Sequence, residues 1–288
     1  MITTTRAVPD LGDVGLGWRR EIAGVIADLT PGFCEVIAES VPIRRRRARP
    51  DPMLAGLATG GIPVIPHGVA LSLGGVEPVQ PARVGRLAAC AQALGSPLVS
   101  EHIAFVRAGG IEAGHLLPVP RTREALDVLA RNIERTTGEL PVPLAVENIA
   151  SFVEWPESDL SESEFLTELV DRTGVLLVLD VANVYANARN RGLDPQRELS
   201  RLPVERVAYC HVAGGRDGGN FYHDTHTDRT PPEVLDLVTA LRERVDTPFM
   251  LERDGRYPPA AELFDELDAI AAAAGATPIT TRARKAWT

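Results

Sequence analysis

Cysteine is scarce. The chain has three, Cys34, Cys90 and Cys210, and their spacing fits neither a disulfide framework nor a zinc knuckle. An odd number of scattered thiols suits a reducing compartment. Cys34 and Cys210 lie inside apolar runs and read as small buried hydrophobes. Long apolar runs are missing as well: none approaches the ~20 residues of a spanning helix. Met1 to Asp10 lacks the basic start and apolar core of a signal peptide. A soluble cytoplasmic protein with no membrane partner is therefore expected. Positive charge is in deficit, with a net charge of −9 over 288 residues. Gripping nucleic-acid phosphates calls for Lys and Arg on one face, so nucleic acid is not the expected partner. No GxGxxG follows the first strand and no GxxxxGK[ST] occurs, which argues against a dinucleotide or P-loop site.

What is present is an alternation of short apolar runs and longer amphipathic stretches. The runs Val14–Leu16, Phe33–Ala38, Pro63–His67, Leu98–Glu101, Leu144–Glu147, Val175–Asp180, Arg206–His211 and Phe249–Glu252 read as strands. Between them, Arg83–Leu94 places Val84, Leu87, Ala88, Ala91 and Leu94 on one helical face, and Thr122–Thr136 does the same with Ala125, Leu126, Leu129 and Ile133. Ser161 and Glu164 form a capping-box pattern. Pro231 and Pro232 suit a first helical turn. Strands alternating with helices imply parallel strands joined by right-handed crossovers. Eight such units favour an α/β chain closed as a (β/α)₈ TIM barrel, a fold that reaches this length as one domain. The expected division is a tail at 1–10, a single barrel at 11–276 and a second tail at 277–288.

Chemistry gathers at the strand ends. Strand three ends in His67, strand four in Glu101-His102, strand five in Glu147, strand six in Asp180, strand seven in His211 and strand eight in Glu252. In a barrel these ends meet on one face, where active sites are built. Imidazoles and carboxylates crowded together repel and must be desolvated, unless a cation sits among them. Each residue alone has a plainer reading: a strand-end His is usually a satisfied polar group, and Asp180 could be a helix cap. The whole set points to metal. His and carboxylate ligands suit zinc, iron or manganese, and the absence of thiolates argues against a structural zinc site. Asp224 and His226 lie two apart, so an extended segment would aim both at one metal, with His223 turned away. Asn183 could add a neutral oxygen. His115 reads as loop or pocket wall. Arg44, Arg45, Arg46 and Arg47, with Arg49, are either a solvated loop or a basic lip that attracts an acidic substrate.

The order His, His, Glu, Asp, His, Asp-x-His, Glu resembles the three-metal site of endonuclease IV-type and xylose isomerase-like barrels. The words around it narrow the likeness: His67-Gly68-Val69-Ala70-Leu71-Ser72-Leu73-Gly74, Ser100-Glu101-His102, Leu116-Leu117-Pro118-Val119-Pro120, Glu147-Asn148-Ile149, Leu179-Asp180-Val181-Ala182-Asn183-Val184-Tyr185, Asp224-Thr225-His226 and Leu251-Glu252-Arg253-Asp254. From about Gly15 to Asp254 the chain is similar to the multinuclear non-haem iron-dependent oxidases, the family of the methanobactin-biosynthesis iron enzyme. It departs from their pattern twice. Their second imidazole after strand seven is Gly215 here, and their Ala-Glu-Asn-Tyr after strand two is Ala38-Glu39-Ser40-Val41.

The resemblance implies that His67, His102 and Glu147 hold one metal. Glu147 would bridge to a second, completed by Asp180, His211 and Glu252. Asp224, His226 and Asn183 would hold a third. It implies two or three irons with a mixed-valence Fe²⁺/Fe³⁺ pair, O₂ as co-substrate, and oxidation of a Cys, Asp or Asn in a ribosomally made precursor peptide. Glu147, Asp180 and His211 would be the central catalytic ligands. A small leader-recognition protein would be a partner. Asn148 and Arg253, beside the ligands, and the arginines at 44–47 would contact substrate. Two other reactions suit such barrels. Endonuclease IV-like phosphodiester hydrolysis is disfavoured by the acidic balance and by Asn183 in place of His. Sugar isomerisation in its xylose isomerase form uses an active-site lysine, and the only lysine is Lys285.

Overall fold

The computed structural model describes residues 10–281. Eight strands close into a parallel barrel: β1 (Val14–Trp18), β2 (Cys34–Ile37), β3 (Val64–Gly68), β4 (Val99–His102), β5 (Leu144–Glu147), β6 (Leu176–Asp180), β7 (Val207–Val212) and β8 (Phe249–Leu251). Each pairs with its neighbours in chain order. The ring closes where Val14 of β1 lies beside Phe249 of β8. All eight fall on the expected apolar runs. The outer helices include Pro81–Leu94, Arg123–Glu139 and Glu162–Thr173. Ser161 and Glu164 make the reciprocal capping box, and the Thr122 side chain accepts from the Ala125 N–H.

Alternation along each strand builds the interior. Ile65, Leu98, Ala145, Val178, Tyr209 and Met250 belong to one buried cluster that fills the barrel. Side chains two residues on point the same way, so His67, Ser100, Glu147, Asp180, His211 and Glu252 rise directly above that floor. β1 contributes little bulk to this layer. A Cβ on Gly15 would lie 2.6 Å from the Phe33 ring, so the glycine makes room for a large residue at the start of the neighbouring strand.

The structure adds three antiparallel pairs where the sequence suggests only loops. Ile43–Arg44 pairs with Arg47–Ala48 after β2, Ala104–Ala108 with Ile111–Pro118 after β4, and Gly214–Asp217 with Tyr222–Asp228 after β7. All three follow the carboxyl ends of barrel strands, and the second and third help to line the cavity there. Among the described residues no helix is long and apolar enough to cross a membrane. The expected tails lie largely outside the described residues. The part that is described corrects the expectation of a loose end from 277: Ile279 is buried in the core, and Thr280 bonds to Asp268.

Arg253 has a different place from the expected substrate contact. Its Nε and Nη2 donate to Glu266 of the helix Ala260–Ala273, and Nη1 donates to the Thr227 carbonyl. Glu266 also accepts from the Thr230 N–H and hydroxyl. This buried pair pins the last helix behind Glu252. Glu266→Ala strands a buried guanidinium, so a loss of about 3–5 kcal/mol in urea unfolding is expected. An Arg253→Met/Glu266→Leu double variant should recover most of it.

Candidate metal centre

At the carboxyl ends of the strands the side chains converge closely. His67 Nε2 lies 3.2 Å from His102 Nε2 and 3.3 Å from Glu147 Oε2, and His102 Nε2 lies 3.6 Å from the same oxygen. Ligand atoms ~2.1 Å from one ion sit about 3–3.5 Å apart, so these three atoms frame one metal position. The other Glu147 oxygen, Oε1, lies 3.3 Å from His211 Nδ1, which lies 3.2 Å from Glu252 Oε2. Asp180 joins Glu147 and His211 in a second ligand group. Glu147 thus faces both positions, one oxygen to each.

A third group is Asp180, His226 and Glu252, and a fourth is Glu35, His211 and Glu252. His226 Nε2 stands 2.9 Å from Asp224 Oδ2 and 3.6 Å from Asp180 Oδ2, while its Nδ1 stands 3.1 Å from Glu252 Oε2. The Asp224–His226 segment is extended as expected, but His226 itself has φ +52°. Asn183 sits in the first turn of the helix Val181–Asn190. Its amide nitrogen donates to the Asn148 carbonyl and its Oδ1 is left free.

The fit to metal rests on unpartnered atoms. Glu147 Oε2, Asp180 Oδ2, Asn183 Oδ1, His211 Nδ1, Asp224 Oδ1 and His226 Nε2 are all buried without a well-formed hydrogen bond; the two ring nitrogens meet carboxylate oxygens only as ion-pair contacts. Leaving even one such group unsatisfied costs about 1–3 kcal/mol. Their joint orientation toward shared space is the arrangement that cations satisfy. Asp180 reconciles its two readings: Oδ1 caps the helix by accepting from the Asn183 N–H, and Oδ2 faces the cluster.

Electrostatics follow from the crowding. Burial pushes the Asp180 carboxyl up to about 8, with Asp224 and Glu147 adding to the rise against the pull of His226. Burial also opposes ionised Glu147, but His211 and His102 prevail and hold it at about 2. Against burial, Glu147 and Glu101 raise His102 to about 9. His211 and His226 are raised well above the ordinary range in spite of burial, by Glu35 and Glu147 in one case and by Asp224 and Glu252 in the other.

Residues around the ligands hold the site, and two of them, Arg19 and Glu35, were not singled out by the sequence pattern. Arg19, just after β1, donates to Glu252 Oε1 at 3.0 Å and to Asp254, leaving Oε2 for the histidines. Glu101 turns away from the metals and accepts from the backbone N–H groups of Ala70, Leu71 and His102. Glu35, fully buried in β2, lies 3.0 Å from His211 Nε2. Asn148 accepts from the Asp180 N–H and donates to the Asp180 carbonyl, tying β5 to β6. Both of its polar ends are engaged inside the protein, where they hold Asp180.

Above the cluster opens a cavity of about 420 Å³ lined by His67, His102, Glu147 and His226 below and by His115 and Phe152 at the rim. His223 turns away from the cluster and packs against Phe152, ring centroids 5.1 Å apart. Arg44, Arg45, Arg46 and Arg47 form an exposed hairpin, with Arg45 and Arg46 at positive φ in its turn. The missing imidazole at Gly215 has a steric reason. A Cβ there would come within 2.3 Å of the His223 carbonyl and 2.6 Å of the Tyr222 ring, and the Tyr222 hydroxyl accepts from the Gly215 N–H.

A closed parallel barrel with a His and carboxylate cluster at its strand ends has the xylose isomerase-like TIM-barrel fold with a candidate metal site on its carboxyl face. Solved structures agree on the fold. Endonuclease IV from Thermus thermophilus is 19% identical, with TM-score 0.57 over 91% of this chain and 98% of its own. A D-allulose 3-epimerase from Methylomonas sp. is 12% identical, with TM-score 0.58 over 97% and 98%. The xylose isomerase domain protein from Planctomyces limnophilus is 14% identical, with TM-score 0.51 over 95% and 99%. The chain belongs to the family of RiPP precursor modification enzymes MbnB/TglH/ChrH, whose model matches residues 13–275. Relatives known as UPF0276 proteins include one from Streptomyces avermitilis, 49% identical over 92% of this chain, and one from Rhizorhabdus wittichii, 36% identical over 88%. The chain spans 55% of the length of the Streptomyces relative and 91% of the Rhizorhabdus one.

Metal must displace protons from this cluster. His102, raised to about 9, and Asp180, raised to about 8, are protonated at neutral pH when no ion is bound. A raised pKa means the proton competes until the pH passes it. Affinity for a divalent ion should therefore increase from about pH 6 to about pH 9, with net proton release. Calorimetry in buffers of different ionisation enthalpy checks both.

Proposed function

We propose that this chain is a multinuclear iron-dependent oxidase. It would use O₂ to modify a Cys, or an Asp or Asn, of a ribosomally made precursor peptide. The observation that carries the reading is the set of buried, unpartnered ligand atoms at the strand ends of a chain belonging to a RiPP precursor modification family. His67, His102 and Glu147 would hold one iron. Glu147, Asp180, His211 and Glu252 would hold a second, and Asp180, Asn183, Asp224, His226 and Glu252 would offer ligands to a third. Bound iron, as two or three ions with a mixed-valence pair, would supply electrons for O₂ activation and a coordination position for the substrate's thiolate or carboxylate.

The chain's own residues would orient and exclude. Arg19 and Asn148 fix Glu252 and Asp180 from behind. The rim carries exposed apolar side chains: Phe152 is 57% exposed, Val153 54% and Phe221 47%. Apolar groups at the mouth of a polar cavity suit a peptide lying across it. Among the described residues the arginine hairpin on the same face makes no ion pair, and it would attract acidic residues of that peptide. A small leader-recognition protein would present the peptide. The buried free thiols fit a cytoplasmic setting.

Two tests follow. Protein purified anaerobically should contain two to three equivalents of iron, with ferrous and ferric components in the Mössbauer spectrum. Full peptide-modifying activity with zinc alone would sink the oxidase reading. Replacing Arg44 to Arg47 by Gln should weaken precursor-peptide binding at low salt and flatten its salt dependence, measured by fluorescence anisotropy. Unchanged affinity would remove the hairpin from the substrate path.

A further inference from the structure

Beneath the metal cluster runs a chain of hydrogen bonds that the ligand assignments do not explain. His67 Nδ1 lies 2.8 Å from Ser100 Oγ, and Ser100 Oγ lies 2.8 Å from the Tyr209 hydroxyl. That hydroxyl contacts Glu35 Oε2, which lies 3.0 Å from His211 Nε2. Glu35, Ser100, Tyr209 and His211 are 0% exposed and His67 is 1%, so no solvent competes for these groups.

The number of protons sets the direction of every link. An ionised carboxylate can only accept, and a tyrosine has one proton to give. If Tyr209 donates to Glu35, then its oxygen must accept from the Ser100 hydroxyl. Ser100 Oγ must then accept from His67 Nδ1–H. On the other side, Glu35 accepts from His211 Nε2–H. All protons point toward Glu35, and both imidazole tautomers follow. In the metal-bound form, where each ring carries a single proton, the lone pairs are left on His67 Nε2 and His211 Nδ1, the two nitrogens that face Glu147.

We infer that Glu35 is the positioning residue of the metal centre, anchoring one buried hydrogen-bond chain that sets the tautomers of His67 and His211 and so prepares two metal positions together. The inference rests on the metal-centre reading but not on iron or O₂. Its logic is that of a ligating His held by a carboxylate through its other nitrogen. The unusual feature is that one carboxylate serves two histidines at two positions, directly on one side and through Tyr209 and Ser100 on the other. Glu35 Oε1 has no hydrogen-bond partner, so Oε2 alone carries both branches.

The two branches can be cut separately. Manganese(II) binding would be measured by the electron paramagnetic resonance of free ion in wild type, Glu35→Gln, Tyr209→Phe, His102→Ala and the Tyr209→Phe/His102→Ala pair. Circular dichroism would confirm the fold. Glu35→Gln should weaken two of the binding steps by roughly ten- to a hundredfold while saturating at the wild-type stoichiometry. Tyr209→Phe should weaken one step only. That step should be the one His102→Ala removes, so the pair should bind the remaining ions like His102→Ala alone. In zinc-loaded protein, ¹⁵N imidazole spectra should show Nδ1–H on His67 and Nε2–H on His211. The inference fails if Glu35→Gln binds manganese like wild type, or if it loses a whole equivalent at saturation, which would make Glu35 a ligand. It also fails if Tyr209→Phe adds to His102→Ala at the remaining positions. Wild type that binds no manganese would overturn the metal-centre reading itself.

Discussion

The structure is organised around one electrostatic constraint. Glu35, Glu147, Asp180 and Glu252 are buried with His67, His102 and His211 in the carboxyl half of the barrel. Carboxylates so close cannot all stay ionised in a dry interior unless positive charge sits among them. The imidazoles supply part of it as protons, which is why His211 and His226 are pushed up and Glu252 is held down against burial. Metal ions supply it better, because they also satisfy lone pairs that no N–H reaches. The surroundings serve that layer. Arg19 takes one oxygen of Glu252, the Ala70 and Leu71 amides take Glu101, and Asn148 clamps Asp180. Each removes a competing orientation from a carboxylate.

Much of this was legible in the sequence because a parallel barrel converts strand ends into a single place. Apolar runs bounded by turns marked the eight strands, and the residue closing each run marked the site. Reading only the ends missed Glu35. The alternation that sets His67 two residues after Ile65 also sets Glu35 two residues after Phe33, so a carboxylate within Cys34-Glu35-Val36-Ile37 was already a sign of interior polarity. Arg19 carried no such sign. Its partner Glu252 is 233 residues away, and only barrel closure brings β1 beside β8.

The hairpins were hidden for different reasons. Gly109-Gly110 and Asp217-Gly218-Gly219 are ordinary turn words, overlooked because a loop was enough to satisfy the barrel. The turn at Arg45-Arg46 could not be read at all. Both residues adopt positive φ, a conformation that usually selects Asn or Gly. The surroundings of Asn148 and Arg253 could not be read from proximity to the ligands. Neighbours of a ligand along a strand point to the opposite face, so a residue beside Glu147 or Glu252 in sequence is unlike it in surroundings. Arg253 accordingly meets a helix behind the barrel.

Burial across the centre is graded. The side chains of His67, Glu147 and His211 are at most 2% exposed, whereas Asp224 and His226 are at 13%. The inner ligands stand on barrel strands, whose register is fixed by pairing on both sides. Asp224 and His226 stand on a hairpin strand paired only with Gly214–Asp217, and His226 holds a positive φ that costs about 1–3 kcal/mol. That cost is offset where the ring bridges Asp224 and Glu252, so the local backbone and the third ligand group depend on each other. Gly214 and Gly215 allow this, since side chains at either position would collide with the returning strand. Gly215 is thus part of how this chain delivers His226 to the cluster.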